Sequence, residues 1–260
     1  MSALAPESDS FFLHNKTIII SGASSGIGRK VALSAAERGA RLLLIGRNSE
    51  KLAEIASMLP QGTAFEILEY NLNSSDGLDS ALAERIMRLG PVDGLVHSAG
   101  IASTIPLRLL NRETMMSELS INTIAGMELM RICSSKKLVS RNGASFVMVS
   151  SVTAIRGTVA RAGYAASKAA LSGLVKSSAV ELAEKKIRVN SVLLGYVCNT
   201  GITSREFGCM TEEAKEAIAR KHPLGIGTVD DVVPPILFLL SDAAKWITGA
   251  EIAVDGGYSI

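Results

Sequence analysis

Thr17-Ile18-Ile19-Ile20-Ser21-Gly22-Ala23-Ser24-Ser25-Gly26-Ile27-Gly28 is the stretch on which the fold turns. The run Thr17 to Ile20 reads as a strand covered on both faces, because such parallel strands are continuously apolar rather than alternating. It stops at Ser21-Gly22. From Ile27 onward apolar residues recur at helical spacing (Ile27, Val31, Ala35), and the pattern ends at Gly39, a natural C-cap. Strand, glycine-rich turn and helix in direct succession form an anion cradle. Glycine permits the tight turn and the close approach of a ligand to backbone, while the helix N-terminus offers unpaired N–H groups. We therefore read Gly22, Ser24, Ser25, Gly26, Ile27 and Gly28 as contacts for a dinucleotide pyrophosphate. The spacing is G-x-x-x-G-x-G, not the commoner G-x-G-x-x-G.

The same rhythm runs outward along the chain. Residues 41–45 read as a strand, 49–58 as a helix, 64–70 as a strand, 75–88 as a helix and Val92–His97 as a strand. Then come a long helical pattern over 112–138, a strand over 145–149, a helix over 164–184 and a strand over 188–193. Helices over 211–220 and 230–240 and a last strand over 250–254 complete it. Short apolar runs alternating with helical patterns predict an α/β fold of Rossmann type: a doubly wound parallel sheet with helices on both faces. No Pro-, Ser- or Gly-rich linker divides the chain, so residues 16–260 read as one domain behind an N-terminal extension, 1–15. The stretch from about 195 to 222 lacks a strand. Its mixed residues, among them Ile202, Phe207 and Met210, suit a segment that covers substrate.

Composition narrows the functions. The chain has 260 residues, enough for a full core, and 27 basic against 25 acidic side chains, a net charge of +2. That balance disfavours an extended nucleic-acid surface. Cys133, Cys198 and Cys209 contain no C-x-x-C pair and cannot all be bridged, which fits a reducing compartment. Residues 1–10 are polar and acidic, unlike a secretory leader, and no apolar run reaches the roughly 18 residues of a membrane span. A cytoplasmic location is the expectation. His14, His97 and His222 are too scattered to suggest a metal site.

At the end of the second predicted strand stands Gly46-Arg47. A carboxylate about 20 residues past the glycines would favour the ribose of NAD(H). Here a guanidinium takes its place, and a charge-assisted contact with a 2′-phosphate favours NADP(H).

The sequence resembles the short-chain dehydrogenase/reductase family from about Lys16 to Ser259. The resemblance rests on Ser21 to Gly28 for the nucleotide turn and Ser98-Ala99-Gly100 after the fourth strand, where His97 and Ser98 stand at positions often held by paired asparagines. It continues through Asn122, Ser151, Tyr164-Ala165-Ala166-Ser167-Lys168, Asn190-Ser191-Val192 and Thr248 to Gly257. The overall pattern is similar to 3-oxoacyl-acyl-carrier-protein reductases, and many relatives with other substrates share it. The resemblance implies Asn122, Ser151, Tyr164 and Lys168 as catalytic residues, with Asn122 helping to hold a water chain from Lys168 to solvent. For the cofactor it implies, beside the glycine turn and Arg47, Asn71, Leu72, Ala99, Gly100, Tyr164, Lys168, Val197, Asn199 and Thr200. It also implies a homotetramer assembled through the 111–137 and 164–184 helices and the C-terminal strand region.

Chemistry asks for these residue types independently. Reducing a ketone builds negative charge on oxygen, which needs a proton donor and a second hydrogen-bond donor. Tyr164 can supply the proton, but an unperturbed phenol titrates near pH ~10. Lys168, one helical turn on, favours the phenolate, and Ser151 can steady the oxygen. Departures from the family pattern include Asn71, where many relatives carry an aspartate near the adenine, and the stretch that follows residue 193. Leu194 replaces the usual proline, and the threonine expected to hold the nicotinamide carboxamide falls on Asn199, with Thr200 one later. Either side chain can bond an amide. Loss of catalysis, leaving a nucleotide-sensing or structural partner protein, is the alternative function; the intact Ser151, Tyr164 and Lys168 count against it. For the substrate, the loop of residues 152–163 offers Thr153, Ile155 and Val159 beside Arg156 and Arg161. That lining suits an acyl-carrier-bound β-ketone as well as a sugar or polar alcohol bearing an acid.

Overall fold

The computed structural model describes residues 11–74, 76–208 and 210–260. Residues 1–10, Ser75 and Cys209 lie outside them, as do the side chains of residues 205–207, and with them the readings of residues 1–10, Phe207 and Cys209. In chain order the elements are β1 (Thr17–Ser21), α1 (Gly26–Ala36), β2 (Arg41–Gly46), α2 (Ser49–Ser57), β3 (Phe65–Glu69), α3 (Leu78–Leu89) and β4 (Val92–His97). There follow α4 (Arg112–Leu119), a π turn (Ser120–Ile124), α5 (Ala125–Cys133), β5 (Ala144–Ser151), α6 (Ala162–Leu182) and β6 (Ile187–Leu194). The chain ends with α7 (Thr203–Gly208), α8 (Glu212–Ala219), α9 (Val229–Leu240) and β7 (Glu251–Val254).

All seven strands are parallel, in the order β3-β2-β1-β4-β5-β6-β7. The chain winds outward from β1 in one direction, then returns to place β4 on the other side of β1. Such a reversal opens a crevice beyond the strand ends, where ligands bind. Strand alternation divides the core between the faces: Ile18 and Ile20 pack with Val31, Ala35 and Ile236, while Ile19 packs with Leu82, Leu129 and Val175. Leu13, ahead of β1, is fully buried in the first of these cores.

Two expected helices differ. The 112–138 pattern is not one uniform helix; it is interrupted by the π turn, where the Ala125 amide reaches the Ser120 carbonyl, and it ends at Cys133. The residues after Cys133 instead lead the chain into a bridge of Val139 to Val92 at the sheet. The helix expected from residue 75 starts at Leu78, because Gly77 before it takes a left-handed φ of 74°. The stretch of residues 195–222, expected to cover substrate, contains α7 as well as the expected α8.

Candidate active site

The crevice holds a cleft of about 380 Å³ running from the tip of β2 to the start of α6. At its centre is the turn between β1 and α1. Gly22 has φ +71°, and a Cβ there would stand 2.7 Å from the Ala99 backbone nitrogen. A side chain at Gly28 would strike the Gly22 carbonyl at 2.4 Å. The turn can therefore close on the Ser98-Ala99-Gly100 segment only without side chains at these points. Ser24, Ser25, Gly26 and Ile27 line the same part of the cleft, and Ala99 and Gly100 face them.

Three features of the cleft suit a dinucleotide. The Ser25 side chain makes no capping bond at the start of α1, and the first turn of that helix has no acidic residue, so its amides face the cleft without a protein anion. The end of β2 is the buried Gly46, with exposed Arg47 beside it and no carboxylate at either position. Asn71 and Leu72, after β3, complete that end.

At the reacting end, β5 delivers Ser151 and α6 delivers Tyr164 and Lys168, and all three line the cleft. Ser151 Oγ donates to the Leu194 carbonyl at 3.4 Å, a long bond readily exchanged, and accepts from the Thr153 amide at 3.2 Å. Lys168 is 4 % exposed, and its Nζ donates to the Val149 carbonyl at 2.7 Å. Burial lowers its pKa to about 8. The same Nζ stands 5.8 Å from the centroid of the Tyr164 ring, and the Arg161 guanidinium is also 5.8 Å from it. Tyr164 thus sits in a positive field.

Asn122 does not line the cleft. Fully buried in the π turn, its side chain accepts from the Ile101 amide (2.8 Å) and donates to the Ile101 carbonyl (2.9 Å) and Ser167 Oγ (2.8 Å). Ser167 Oγ donates in turn to the Tyr164 carbonyl at 2.8 Å. The amide of Asn122 thus clamps the strand-end segment to α6. A Cβ at Gly100 would fall 3.2 Å from Asn122 Oδ1 and 3.6 Å from Lys168 Nζ, so these groups converge on one point.

Val197 and Thr200 line the cleft, but Asn199 does not. Asn199 takes φ +58°, a left-handed turn conformation, whereas Thr200 shares a 2.8 Å bond with Thr203 Oγ1, which donates to the Val197 carbonyl. Of the two candidates for the carboxamide contact, the turn therefore presents Thr200. Sequence spacing from Gly195 could not show which way this turn rotates.

The two arginines proposed near substrate do not line this cleft. Arg156 donates to the Tyr258 carbonyl and lies 4.6 Å over the Tyr258 ring, and Arg161 donates to the Ser103 carbonyl at 3.3 Å. Ile101 and Ala102, directly after Gly100, and Ile202 of the segment expected to cover substrate also line the cleft, as does Thr203. His222 also stacks on the Tyr258 ring, 4.7 Å between centroids, and accepts from the Tyr196 amide through Nε2. The end of α8 is thereby tied to the C-terminal segment. No spacing rule could have found this contact, because its members come from distant parts of the chain.

Among the described residues no cluster could hold a metal ion, no helix is long and apolar enough to cross a membrane, and Cys133 is a buried free thiol pushed up to about 12 by burial.

A crevice with a glycine turn at its centre and a Ser–Tyr–Lys set at one end defines a nicotinamide-dependent oxidoreductase. The chain belongs to the short-chain dehydrogenase/reductase family. A family model described as enoyl-(acyl carrier protein) reductase matches residues 22–259. The chain is 33% identical over 252 residues to 3-oxoacyl-[acyl-carrier-protein] reductase of Thermotoga maritima, covering 95% of this chain and 99% of that one. It is 32% identical to L-rhamnose 1-dehydrogenase (NAD(P)(+)) of Azotobacter vinelandii, over 94% of this chain and 97% of that one. A solved 7α-hydroxysteroid dehydrogenase, complexed with NADH and 7-oxo glycochenodeoxycholic acid, superposes with a TM-score of 0.89 at 27% identity, over 97% and 98% of the two chains.

Proposed function

We propose that this protein is an NADP(H)-dependent reductase of ketones, with 3-oxoacyl thioesters as its substrate class and homotetrameric assembly. The observation that carries the reading is the convergence of Ser151, Tyr164 and Lys168 on one cleft that begins at an anion-ready helix terminus. When bound, the nicotinamide supplies or accepts hydride. Tyr164 gives its phenolic proton to the developing alkoxide, and Ser151 donates to the same oxygen once it leaves the Leu194 carbonyl. The buried ammonium of Lys168 favours the phenolate that results. Gly22, Ser24, Ser25, Gly26, Ile27 and Gly28 hold the pyrophosphate, and Arg47 meets the 2′-phosphate. Asn71, Leu72, Ala99, Gly100, Val197 and Thr200 complete the cofactor contacts, while Asn122 maintains the arrangement around Lys168.

The apolar side chains of Ile101, Ala102 and Ile202 in the cleft lining support an acyl chain over a sugar. In this reading the segment of residues 195–222 covers the substrate. Exposed Met116, Met127 and Val180 on α4, α5 and α6 supply apolar area for the partner copies. The test is NADPH oxidation against a panel of 3-oxoacyl thioesters, cyclic ketones and oxidised sugars, with Tyr164→Phe as the control. Turnover of the thioesters that vanishes in Tyr164→Phe supports the assignment. Turnover confined to sugars overturns the substrate class, and tight NADPH binding without any turnover favours the sensor. Sedimentation showing only monomer would overturn the assembly.

A further inference from the structure

His97 closes β4, directly opposite Ser21 of β1 across the switch point. Its ring is fully buried and both nitrogens are engaged. Nε2 lies 3.1 Å from the Ile121 carbonyl oxygen. A carbonyl only accepts, so Nε2 carries the proton. Nδ1, 2.9 Å from Ser21 Oγ, therefore accepts, and the Ser21 hydroxyl is its donor. Ser21 Oγ in turn receives the Ala99 amide at 3.4 Å, beside the glycine turn. At the other end of the ring, Ile121 belongs to the π turn, which bends the helix so that Asn122 meets Ile101 and Ser167. Gly126 seats α5 against the imidazole: a Cβ there would stand 2.9 Å from His97 Cδ2. Desolvation, with the nearby charge of Lys168 adding to it, lowers the imidazole pKa to about 4. The ring is thus neutral at physiological pH, and its bonds admit one tautomer.

We propose that His97 is a positioning residue, a neutral strut that joins the end of β1 to the π turn and so sets Asn122 and Lys168 relative to the nucleotide turn. Its role in turnover rests on the oxidoreductase reading above; its structural half does not. The device needs one acceptor and one donor at opposite sides of a small planar group. An asparagine carboxamide supplies both, and leucine neither. That accounts for histidine standing where asparagine is frequent.

The test uses the full chain with His97→Asn and His97→Leu, and Ser21→Ala as a milder cut should the leucine variant fail to fold. Three readouts apply. In long-range nitrogen–proton spectra of histidine-labelled protein, the signal lost in both His97 variants should show the Nε2–H tautomer and stay constant from pH ~5.5 to ~8.5. Exchange of the Ile101 amide, which reports directly on Asn122, should quicken about 10-fold or more in His97→Leu and about 3-fold or more in Ser21→Ala, while His97→Asn stays near native. With a turned-over ketone, kcat should fall about 10–100-fold in His97→Leu, with KM changed far less, and His97→Asn should restore most of it.

A titrating or Nδ1–H ring, or native Ile101 exchange in both His97→Leu and Ser21→Ala, overturns the strut. Quickened Ile101 exchange with native kcat overturns its role in turnover. If the native protein turns over no ketone, the functional reading fails, and the spectra and exchange rates still decide the strut.

Discussion

Lys168, at the reacting end of the cleft, is enclosed by protein and donates to the Val149 carbonyl, whereas Arg47, at the adenosine end, stands in solvent at the tip of β2. Both are single cations assigned to one cofactor, and they act under different physics. A buried charge acts through a low dielectric and is little screened by salt; an exposed one is weakened by water and by ions within a Debye length of roughly 8–10 Å. The reacting end should consequently tolerate almost no substitution and respond to pH. The adenosine end should tolerate exchange, respond to salt, and alter preference without abolishing turnover.

The largest effect should come from Tyr164→Phe, which keeps the ring and removes the proton donor. Single-turnover reduction should fall by about 10²–10⁴-fold while NADPH affinity changes little. Near-native hydride transfer in this variant would remove the chemistry from α6 and erase the contrast between the two ends.

Lys168→Met sharpens the same contrast through pH. Lys168 titrates at about 8 in the fold against an ordinary 10.5, because burial disfavours the ammonium. Below pH 8 both folded and unfolded chains hold the proton, and the fold bears the full desolvation penalty. Between 8 and 10.5 the unfolded chain holds more protons, so stability should rise with pH through that window. Denaturant unfolding from pH 7.5 to 11 should show this rise in the native protein, by about 3 kcal/mol at most, and lose it in Lys168→Met. In the same variant the basic limb of alcohol oxidation should move upward as the phenolate loses its cation. A native-like slope in Lys168→Met would place the titration elsewhere.

Arg47→Asp tests the exposed end. NADPH affinity should drop about 10–100-fold and NADH affinity far less, since one charge-assisted contact is lost and repulsion added. Raising salt should shrink the NADPH preference of the native protein. Equal affinities for both cofactors in the native protein would show that Arg47 does not read the 2′-phosphate.

The smallest effect separates two neighbours on the turn after β6. Thr200→Val should weaken NADPH binding several-fold, the loss of about one hydrogen bond. Asn199→Gly, at a left-handed φ of 58°, should leave binding unchanged and stability equal or slightly higher. Calorimetry on both variants decides between them, and the reverse ranking would return the carboxamide contact to Asn199.

Much of this site could be read along the chain because its signals are local. The glycine turn needs only its own backbone and the helix that follows, and Tyr164 and Lys168 share a helix face through their four-residue spacing. The π turn was not legible, since Ser120 to Ile124 carry an ordinary helical pattern, and the groups it meets, His97 and Ile101, come from another part of the chain. The break at Cys133 likewise follows from the way Val139 joins the sheet beside Val92, a partner far away in sequence.

The sequence by itself determined the alternation of strands and helices, the cradle at Gly22 to Gly28 and the residue types proposed to move a proton, because periodicity and local spacing express these directly. Tertiary structure alone decided that Thr200 and not Asn199 faces the cleft, that Arg156 is taken by Tyr258, and that the Asn122 amide clamps Ile101 to α6. Each depends on a rotation or a partner supplied by a distant segment, and only packing brings those partners within hydrogen-bond reach.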